Sequence, residues 1–208
     1  MKKIVFVTLM MADNMQKRHY PVDGNSFIEY QGEVYYAINA VLAKTLKTDD
    51  NVKIILLETK AGDKAGSKNA QFFMNELNEI NDKIKAKISY EVIPFEFITG
   101  KGGFKELYLK LIKNLEKEAE LYADITFGPK SLPLLIFAAM QFGEKFFDCS
   151  ISNVIYLKNE FKNGNIVENS QLICDYTPLY LLNSFTNAIE SASGDKAVNA
   201  VEKLFEEK

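Results

Sequence analysis

Cysteine and histidine are scarce in this chain of 208 residues, and their scarcity excludes several kinds of chemistry. The two cysteines, Cys149 and Cys174, lie far apart and form no Cys-x-x-Cys pair, so neither a zinc site nor a dithiol redox site fits them. We expect both to be buried residues of strands. His19 is the only histidine, so Ser-His or Cys-His catalysis would depend on it alone, and we expect it at the surface. We expect no metal site and no cofactor.

Long apolar runs and a strong excess of one charge are also missing. No segment reaches the roughly 18 to 20 apolar residues that cross a membrane, and the apolar run after Lys2 and Lys3 is too short for a signal peptide. The net charge of −3 argues against binding of double-stranded nucleic acid by the surface as a whole, although a local basic pocket for a small nucleotide remains open. We therefore expect a cytoplasmic protein with no membrane partner.

The sequence consists mainly of apolar segments of two kinds, which alternate along the chain. Unbroken apolar runs are typical of strands buried on both faces of a parallel sheet, and runs with helical spacing alternate with them. The apolar runs that flank Asn163-Gly164-Asn165 predict an antiparallel hairpin. The predicted strands are 1–7, 52–58, 88–95, one ending at Asp124, 152–158 and 167–174; the predicted helices are 33–46, 64–85, 104–122, one beginning at Ser131, 179–191 and 197–205.

This alternation predicts an α/β fold, namely a Rossmann-like, doubly wound, mostly parallel sheet with a C-terminal β-hairpin and terminal helices. A chain of this length is sufficient for one such domain with a substantial core. We predict a single domain over residues 1–208, of which about 192–208 form a C-terminal helical extension.

The most informative segment is residues 124–133, Asp-Ile-Thr-Phe-Gly-Pro-Lys-Ser-Leu-Pro. It predicts the end of a buried strand, a tight turn at Gly128-Pro129 and a helix that Ser131 caps. Such a turn presents a glycine, a lysine, hydroxyls and a helix N-terminus at one point. These groups suit a phosphate.

A second unusual segment is the long polar loop that follows the first predicted strand, over residues 8–24. Ligands of doubly wound sheets bind beyond the carboxyl ends of the strands, where the strand order reverses. In the usual order the first and fourth strands are neighbours there. The long loop and the Gly128 turn should therefore meet, which predicts a binding site between them.

Other candidates leave two readings open. Lys101 stands among glycines but lacks the spacing of a phosphate-binding P-loop, so residues 98–103 are either a solvated loop or a binding loop. Lys17 and Arg18 are either loop charges or phosphate contacts. Asp124 and Asp175 are expected to cap turns. The chain also has no Gly-x-Gly-x-x-Gly after its first strand, which counts against NAD or FAD.

Residues 124–133 resemble the Asp-Ile-Thr-His-Gly-Phe-Arg-Ser-Leu-Pro signature of CARF domains, the CRISPR-associated Rossmann fold. The resemblance extends in order over nearly the whole chain. Supporting elements are Tyr20 with Asp23-Gly24, Ile93-Pro94, Asp175-Tyr176-Thr177-Pro178-Leu179 and Gly194-Asp195.

The resemblance implies a sensor of cyclic oligoadenylate in type III CRISPR antiviral signalling. It also implies a homodimer that holds a cyclic tetra- or hexa-adenylate across its two-fold axis, with the N–H groups of Gly128, Lys130 and Ser131 on phosphates and the loop from Met10 to Tyr20 on adenines or riboses. The expected ligand-binding residues are Thr8, Met10, Asn14, Lys17, Arg18, Tyr20, Thr99, Lys101, Thr126, Phe127, Gly128, Pro129, Lys130 and Ser131.

The chain departs from the signature at three positions, where Phe127 replaces histidine and Pro129-Lys130 replaces Phe-Arg. Lysine keeps a positive charge but lacks the bidentate fork of arginine. No Arg-x-x-x-x-His motif of a HEPN nuclease is present, so we expect either a stand-alone protein or the sensor domain of a longer one, with any effector domain or protein outside this chain.

Two further functions stay open. One is a metal-independent ring nuclease, in which a ribose 2′-OH attacks the neighbouring phosphate. Lys130 and Ser131 would then be catalytic, and Thr8 or Thr126 would position the ring. The other is a nucleotide-binding Rossmann protein unrelated to CRISPR.

Overall fold

A seven-stranded sheet forms the core of the unit Met1–Thr177. The computed structural model describes residues 1–10, 16–60, 67–96, 100–163, 165–167, 170–188 and 193–206. The strands are β1 (Lys2–Thr8), β2 (Val22–Asp23), β3 (Asn51–Thr59), β4 (Lys87–Phe95), β5 (Glu120–Asp124), β6 (Ser150–Lys158), β7 (Phe161–Lys162), β8 (Asn165–Ile166) and β9 (Leu172–Asp175). The α-helices are α1 (Ala37–Thr45), α2 (Ser67–Ile84), α3 (Lys101–Ile112), α4 (Leu132–Phe147), α5 (Thr177–Ala188) and α6 (Gly194–Glu206).

The strand order is β2-β9-β6-β5-β1-β3-β4. The five strands from β6 to β4 are parallel to one another, β9 is antiparallel to β6, and β2 is parallel to β9. From β1 the chain builds outward through β3 to β4, and then returns to build the other half through β5 to β6. The fold is therefore the predicted Rossmann-like, doubly wound α/β sheet, and its order reverses between β1 and β5.

Helices cover both faces of this sheet. On one face Val5, Val7 and Ile54 share a buried cluster with residues of α1 and α2. On the other face α3 packs against α4, and α4 approaches β5 closely at Gly143, where an added Cβ would lie 3.0 Å from the Leu121 side chain. Strands buried on both faces explain the unbroken apolar runs in the sequence.

The predicted antiparallel pair is confirmed, with a different extent. Strand β6 pairs with the short strand β9, and β7 and β8 form a separate two-stranded ribbon within the connection. Asn163 has a φ of 53° in that connection. Gly164 lies outside the described residues.

Two predicted helices differ from the structure by four or more residues at one end. Helix α1 begins at Ala37 rather than at residue 33, because Val34 forms an antiparallel bridge with Arg18 that holds this stretch extended. Helix α3 ends at Ile112 rather than at residue 122. The chain turns at Glu118, which has a φ of 60°, and enters β5 two residues later.

The chain divides into two compact units, Met1–Thr177 and Pro178–Lys208. The first unit contains the sheet and helices α1 to α4, and the second contains nearly all of α5 and α6. Every helix among the described residues is too short or too polar to cross a membrane.

Candidate functional site at the carboxyl edge of the sheet

The carboxyl ends of β1, β3 and β5 lie side by side in the centre of the sheet. Thr8 ends β1, Thr59 ends β3 and Asp124 ends β5, and β1 pairs with the other two strands. This is where the strand order reverses, and parallel sheets of this kind bind their ligands at that position. The predicted meeting of the first and fourth major strands is therefore confirmed.

Thr8 ties the end of β1 to the turn that follows β5. Its Oγ1 donates to the carbonyl of Asp124 at 2.9 Å and accepts from the N–H of Phe127 at 2.9 Å. The side chain is fully buried. One hydroxyl therefore fixes where the turn begins relative to the neighbouring strand.

Asp124 and Thr126 form the first half of the turn. The N–H of Thr126 donates to Oδ1 of Asp124 at 2.9 Å, so the aspartate caps this turn as expected. Oγ1 of Thr126 accepts from the N–H of Leu157 on β6 at 2.9 Å. The turn is thus bonded to strands on both sides of β5.

Asp124 is buried and is therefore easier to protonate than an exposed aspartate. Burial raises the pKa of this carboxyl to about 6, although contacts with Thr126 and the backbone of Ile38 act in the opposite direction. Its second oxygen, Oδ2, has no hydrogen-bond partner in the part of the chain that the structure describes. The site therefore holds a carboxyl whose charge changes near neutral pH.

Gly128 gives the turn its shape. Its φ of +85° is a conformation that other residues adopt only with strain. An added Cβ would lie 3.1 Å from the Leu132 side chain and 3.6 Å from Oγ1 of Thr59. Before it, the ring of Phe127 packs edge-on against Tyr36 at 6.2 Å between centroids, so Phe127 anchors the turn to the core.

Helix α4 starts directly after this turn. Ser131 occupies the N-cap position, but its backbone is helical and its side chain makes no capping hydrogen bond, so the predicted cap by the serine hydroxyl is not formed. The carbonyl of Pro129 accepts from the N–H of Leu132 at 2.9 Å. Within the described part of the chain, the N–H groups of Gly128, Lys130 and Ser131 have no protein acceptor.

These open donors lie beside an exposed lysine at a helix N-terminus. The Lys130 side chain is exposed, as is Gly128. Unpaired N–H groups and the positive end of the helix dipole favour an anion, and a nearby ammonium group adds charge. The turn can therefore bind a phosphate group.

Where it is described, the loop after β1 lies beside helix α2 and the residues that lead into α1. The carbonyl of Met10 accepts from the side chain of Asn69. Lys17 contacts Glu79 of α2 at 3.6 Å and lies 5.3 Å from the centre of the Tyr35 ring. Arg18 pairs through its backbone with Val34 and through its guanidinium with Gln16 at 2.8 Å.

Tyr20 lies in the core. Burial raises its pKa to about 12, so its hydroxyl stays protonated and donates to the carbonyl of Tyr35 at 3.1 Å. The structure therefore places the Tyr20 ring among core residues, and its predicted contact with a ligand stays a prediction.

A cleft of about 550 Å³ lies along this loop. It carries charges of both signs, and Nε2 of His19 lies 3.7 Å from Glu29. The lining residues are Gln16, Lys17, Arg18, His19, Pro21, Glu33 and Gln171.

The remaining predicted residues are only partly covered. Lys101 is exposed and begins α3, which follows an extended Gly100. Asn14 and Thr99 lie outside the described residues, so their roles stay predictions. The structure thus brings Thr8, Thr126 and the Gly128 turn together, and it places Lys17 and Tyr20 against α2 and the core.

Two residues at this edge were missed from the sequence. Glu76 of α2 accepts from the N–H groups of Tyr35 and Tyr36 at 2.7 and 3.2 Å and from the Asn39 amide at 2.9 Å, so it holds the start of α1. Thr59 ends β3 with a buried hydroxyl. A polar residue that closes an apolar run was the only signal for Thr59, whereas nothing in the helical pattern distinguished Glu76.

No group of three or more His, Cys, Asp or Glu side chains among the described residues could hold a metal ion. The chain matches no protein-family model, and no curated protein matches it significantly. What the site binds is therefore inferred from its own residues and from the motif in residues 124–133.

Proposed function

We propose that this protein is a cyclic oligoadenylate sensor of type III CRISPR signalling and that two chains hold one ring across a two-fold axis. The single observation that carries the proposal is the Gly128 turn. Its sequence resembles the CARF signature, and it lies at the switch point with open N–H groups and an exposed lysine.

The chemistry of the ring fits such a turn. A cyclic oligoadenylate repeats one phosphodiester at each nucleotide, and a two-fold axis presents the same donors to opposite sides of the ring. Each turn would hold a phosphate through backbone N–H groups and the Lys130 ammonium group. Buried threonine bonds keep the turn in place before the ligand arrives, which lowers the entropy cost of binding.

The experiment is a calorimetric titration of purified protein with cyclic tetra-adenylate and cyclic hexa-adenylate in EDTA. Lys130→Ala should bind the ring about tenfold or more weakly, because it loses a charge-assisted contact. Lys145→Ala is the matched control, since Lys145 is an exposed lysine in the last turn of α4, at the opposite end of the helix from Lys130. It should bind like wild type.

Chromatography of the same mixtures tests the second candidate, a ring nuclease. Ser131 has a hydroxyl free of capping and lies next to Lys130, so the turn could stabilise charge on a phosphate under attack by a 2′-OH. Linear products in EDTA that disappear with Lys130→Ala would support cleavage. A ring that binds fully and stays intact would support a sensor without nuclease activity.

A further inference from the structure

Three threonine hydroxyls lie at the carboxyl edge of the sheet, and two of them are occupied. Oγ1 of Thr8 bonds to Asp124 and Phe127, and Oγ1 of Thr126 accepts from Leu157. Both hydroxyls hold the backbone of the turn. They were the positioning hydroxyls expected from the sequence, but in the structure they are already bonded to protein.

The third hydroxyl, that of Thr59, is buried without a partner. Thr59 is 5% exposed, and its Oγ1 has no hydrogen-bond partner among the described residues. This atom lies 3.6 Å from the position that a Cβ on Gly128 would occupy. The unpaired hydroxyl therefore lies beside the turn that precedes α4.

An unpaired buried hydroxyl destabilises a protein, because the group loses water and gains no partner. A ligand at the turn would supply the missing acceptor. Other donors at this turn are the open N–H groups of Gly128, Lys130 and Ser131, and the ammonium group of Lys130. Donors grouped on one turn match the oxygens of a phosphate, which accept hydrogen bonds.

We propose that Thr59 is a ligand-binding residue whose hydroxyl donates to an oxygen of a phosphate group held at the N-terminus of α4. On the proposed function, on which this inference rests for the identity of the ligand, that phosphate is a phosphodiester of the adenylate ring. Gly128 permits the same contact, because glycine has no side chain and leaves the space beside Oγ1 of Thr59 open.

The test compares Thr59→Val, which keeps the shape and removes the hydroxyl, with Thr59→Ser, which keeps the hydroxyl. Thr45→Val is the control: Thr45 ends α1, its hydroxyl donates to Val41 within the helix at 3.0 Å, and its carbonyl accepts from Lys3 at the start of β1. The probes are cyclic tetra-adenylate and hexa-adenylate by calorimetry, and inorganic phosphate by phosphorus NMR titration. Thermal unfolding without ligand is measured for each variant.

We expect Thr59→Val to bind the ring and phosphate roughly 10- to 100-fold more weakly, the loss of one hydrogen bond to a charged group. Its Tm without ligand should equal or exceed that of wild type, because an unpaired polar atom has been removed. Thr59→Ser and Thr45→Val should bind like wild type. Weaker binding together with undiminished stability is a result that a purely structural hydroxyl would not give.

The outcomes separate the two proposals. If wild type binds a ring and Thr59→Val binds it equally well, the role of Thr59 is overturned and the proposed function stands. If wild type binds phosphate through Thr59 but neither ring, the phosphate site stands and the proposed function falls. A fall in the Tm of Thr59→Val, or no binding of any probe by wild type, overturns the role of Thr59.

Discussion

A single hydroxyl, that of Thr8, joins the end of β1 to the turn after β5. Replacing Thr8 with the isosteric valine leaves the partly buried N–H of Phe127 without its acceptor. We expect Thr8→Val to lower the free energy of unfolding by about 1–3 kcal/mol, measured by urea denaturation. Thr8→Ser keeps the hydroxyl and should lose less, so equal losses in the two variants would contradict a role for the hydrogen bonds.

Asp124 makes stability depend on pH in a narrow range. Its pKa is about 6 in the folded protein against 3.8 for an ordinary aspartate, so between these values the folded state binds more protons than the unfolded state. The free energy of unfolding should therefore fall as pH rises from about 4 to about 6, by about 3 kcal/mol from this group. Above pH 6 its contribution should be constant.

The variant Asp124→Asn isolates this effect, because an amide oxygen can still accept from Thr126 but does not titrate. Its decline in unfolding free energy between pH 4 and 6 should be smaller than that of wild type by about 3 kcal/mol, and the buried Glu76, whose pKa is also raised by burial, accounts for a decline that remains. Asp175→Asn is the control, since Asp175 caps a similar turn but is only partly buried. A wild-type profile without this decline would contradict the buried position of Asp124.

At the scale of elements, two turns of the same kind hold β6 from both sides. Asp124 accepts from the N–H of Thr126 and Asp175 from that of Thr177, each at 2.9 Å. The two threonine hydroxyls then accept from backbone N–H groups of β6, at Leu157 and Val154. The sequence Asp-x-Thr is therefore used twice to attach a turn to the same strand.

The turn before α4 requires glycine, and this requirement can be measured. Gly128→Ala places a side chain on a backbone with φ +85° and against Leu132. We expect a loss of about 1–2 kcal/mol in unfolding free energy, together with weaker ring binding. Gly102→Ala in α3 is the matched control, because its Cβ would meet nothing within 4 Å and alanine favours a helix by up to about 1 kcal/mol. Equal effects of the two changes would contradict the turn geometry.

Much of the element order could be predicted from the sequence, because apolar periodicity reports burial locally. The errors occur where a long-range contact decides the conformation. The backbone at Val34 is paired with Arg18, which holds it extended before α1, and the positive φ of Glu118 separates α3 from β5 although the apolar spacing continues through Leu115. Neither contact leaves a pattern in neighbouring residues.

For the candidate site, the turn could be predicted because its residues are contiguous. The hydrogen-bond partner of each threonine hydroxyl could not be predicted. Thr8, Thr59 and Thr126 look alike in the sequence. Only the packing of three strands shows that two of them bond to the backbone and that Thr59 does not. Tyr20 illustrates the same limit, since a polar loop contains a tyrosine whose ring is buried.

At the scale of the whole molecule, the amino edge and the carboxyl edge of the sheet have different roles. At the amino edge the buried Nζ of Lys3 contacts Asp50 at 3.3 Å, Glu120 at 3.2 Å and the carbonyl of Thr45 at 2.9 Å. Burial disfavours the charged form of Lys3, but hydrogen bonds and electrostatic interactions with Tyr122 and Glu120 outweigh burial and raise the pKa of the lysine. The carboxyl edge carries the candidate site.

Lys3→Met should therefore destabilise the protein without a direct effect on the site. We expect a loss of about 1–3 kcal/mol, because Asp50 loses the ammonium group of Lys3 but keeps the N-terminal ammonium group and the N–H of Lys47. Lys85→Met removes an exposed pair with Asp82 and should change unfolding free energy by less than about 1 kcal/mol. Denaturation of both variants measures their stability, and ring binding is measured under conditions where both remain folded. Weaker ring binding by folded Lys3→Met would contradict the prediction that Lys3 affects stability and not the site.

The measurement that tests the central claim most directly is the stoichiometry of ring binding. Calorimetry with cyclic tetra-adenylate and cyclic hexa-adenylate, combined with the mass of the complex in solution by light scattering, gives both affinity and assembly. We predict that one of the two rings binds with one ring per two chains in a dimer. Binding of neither ring, or of one ring per single chain, would contradict a site shared across a two-fold axis.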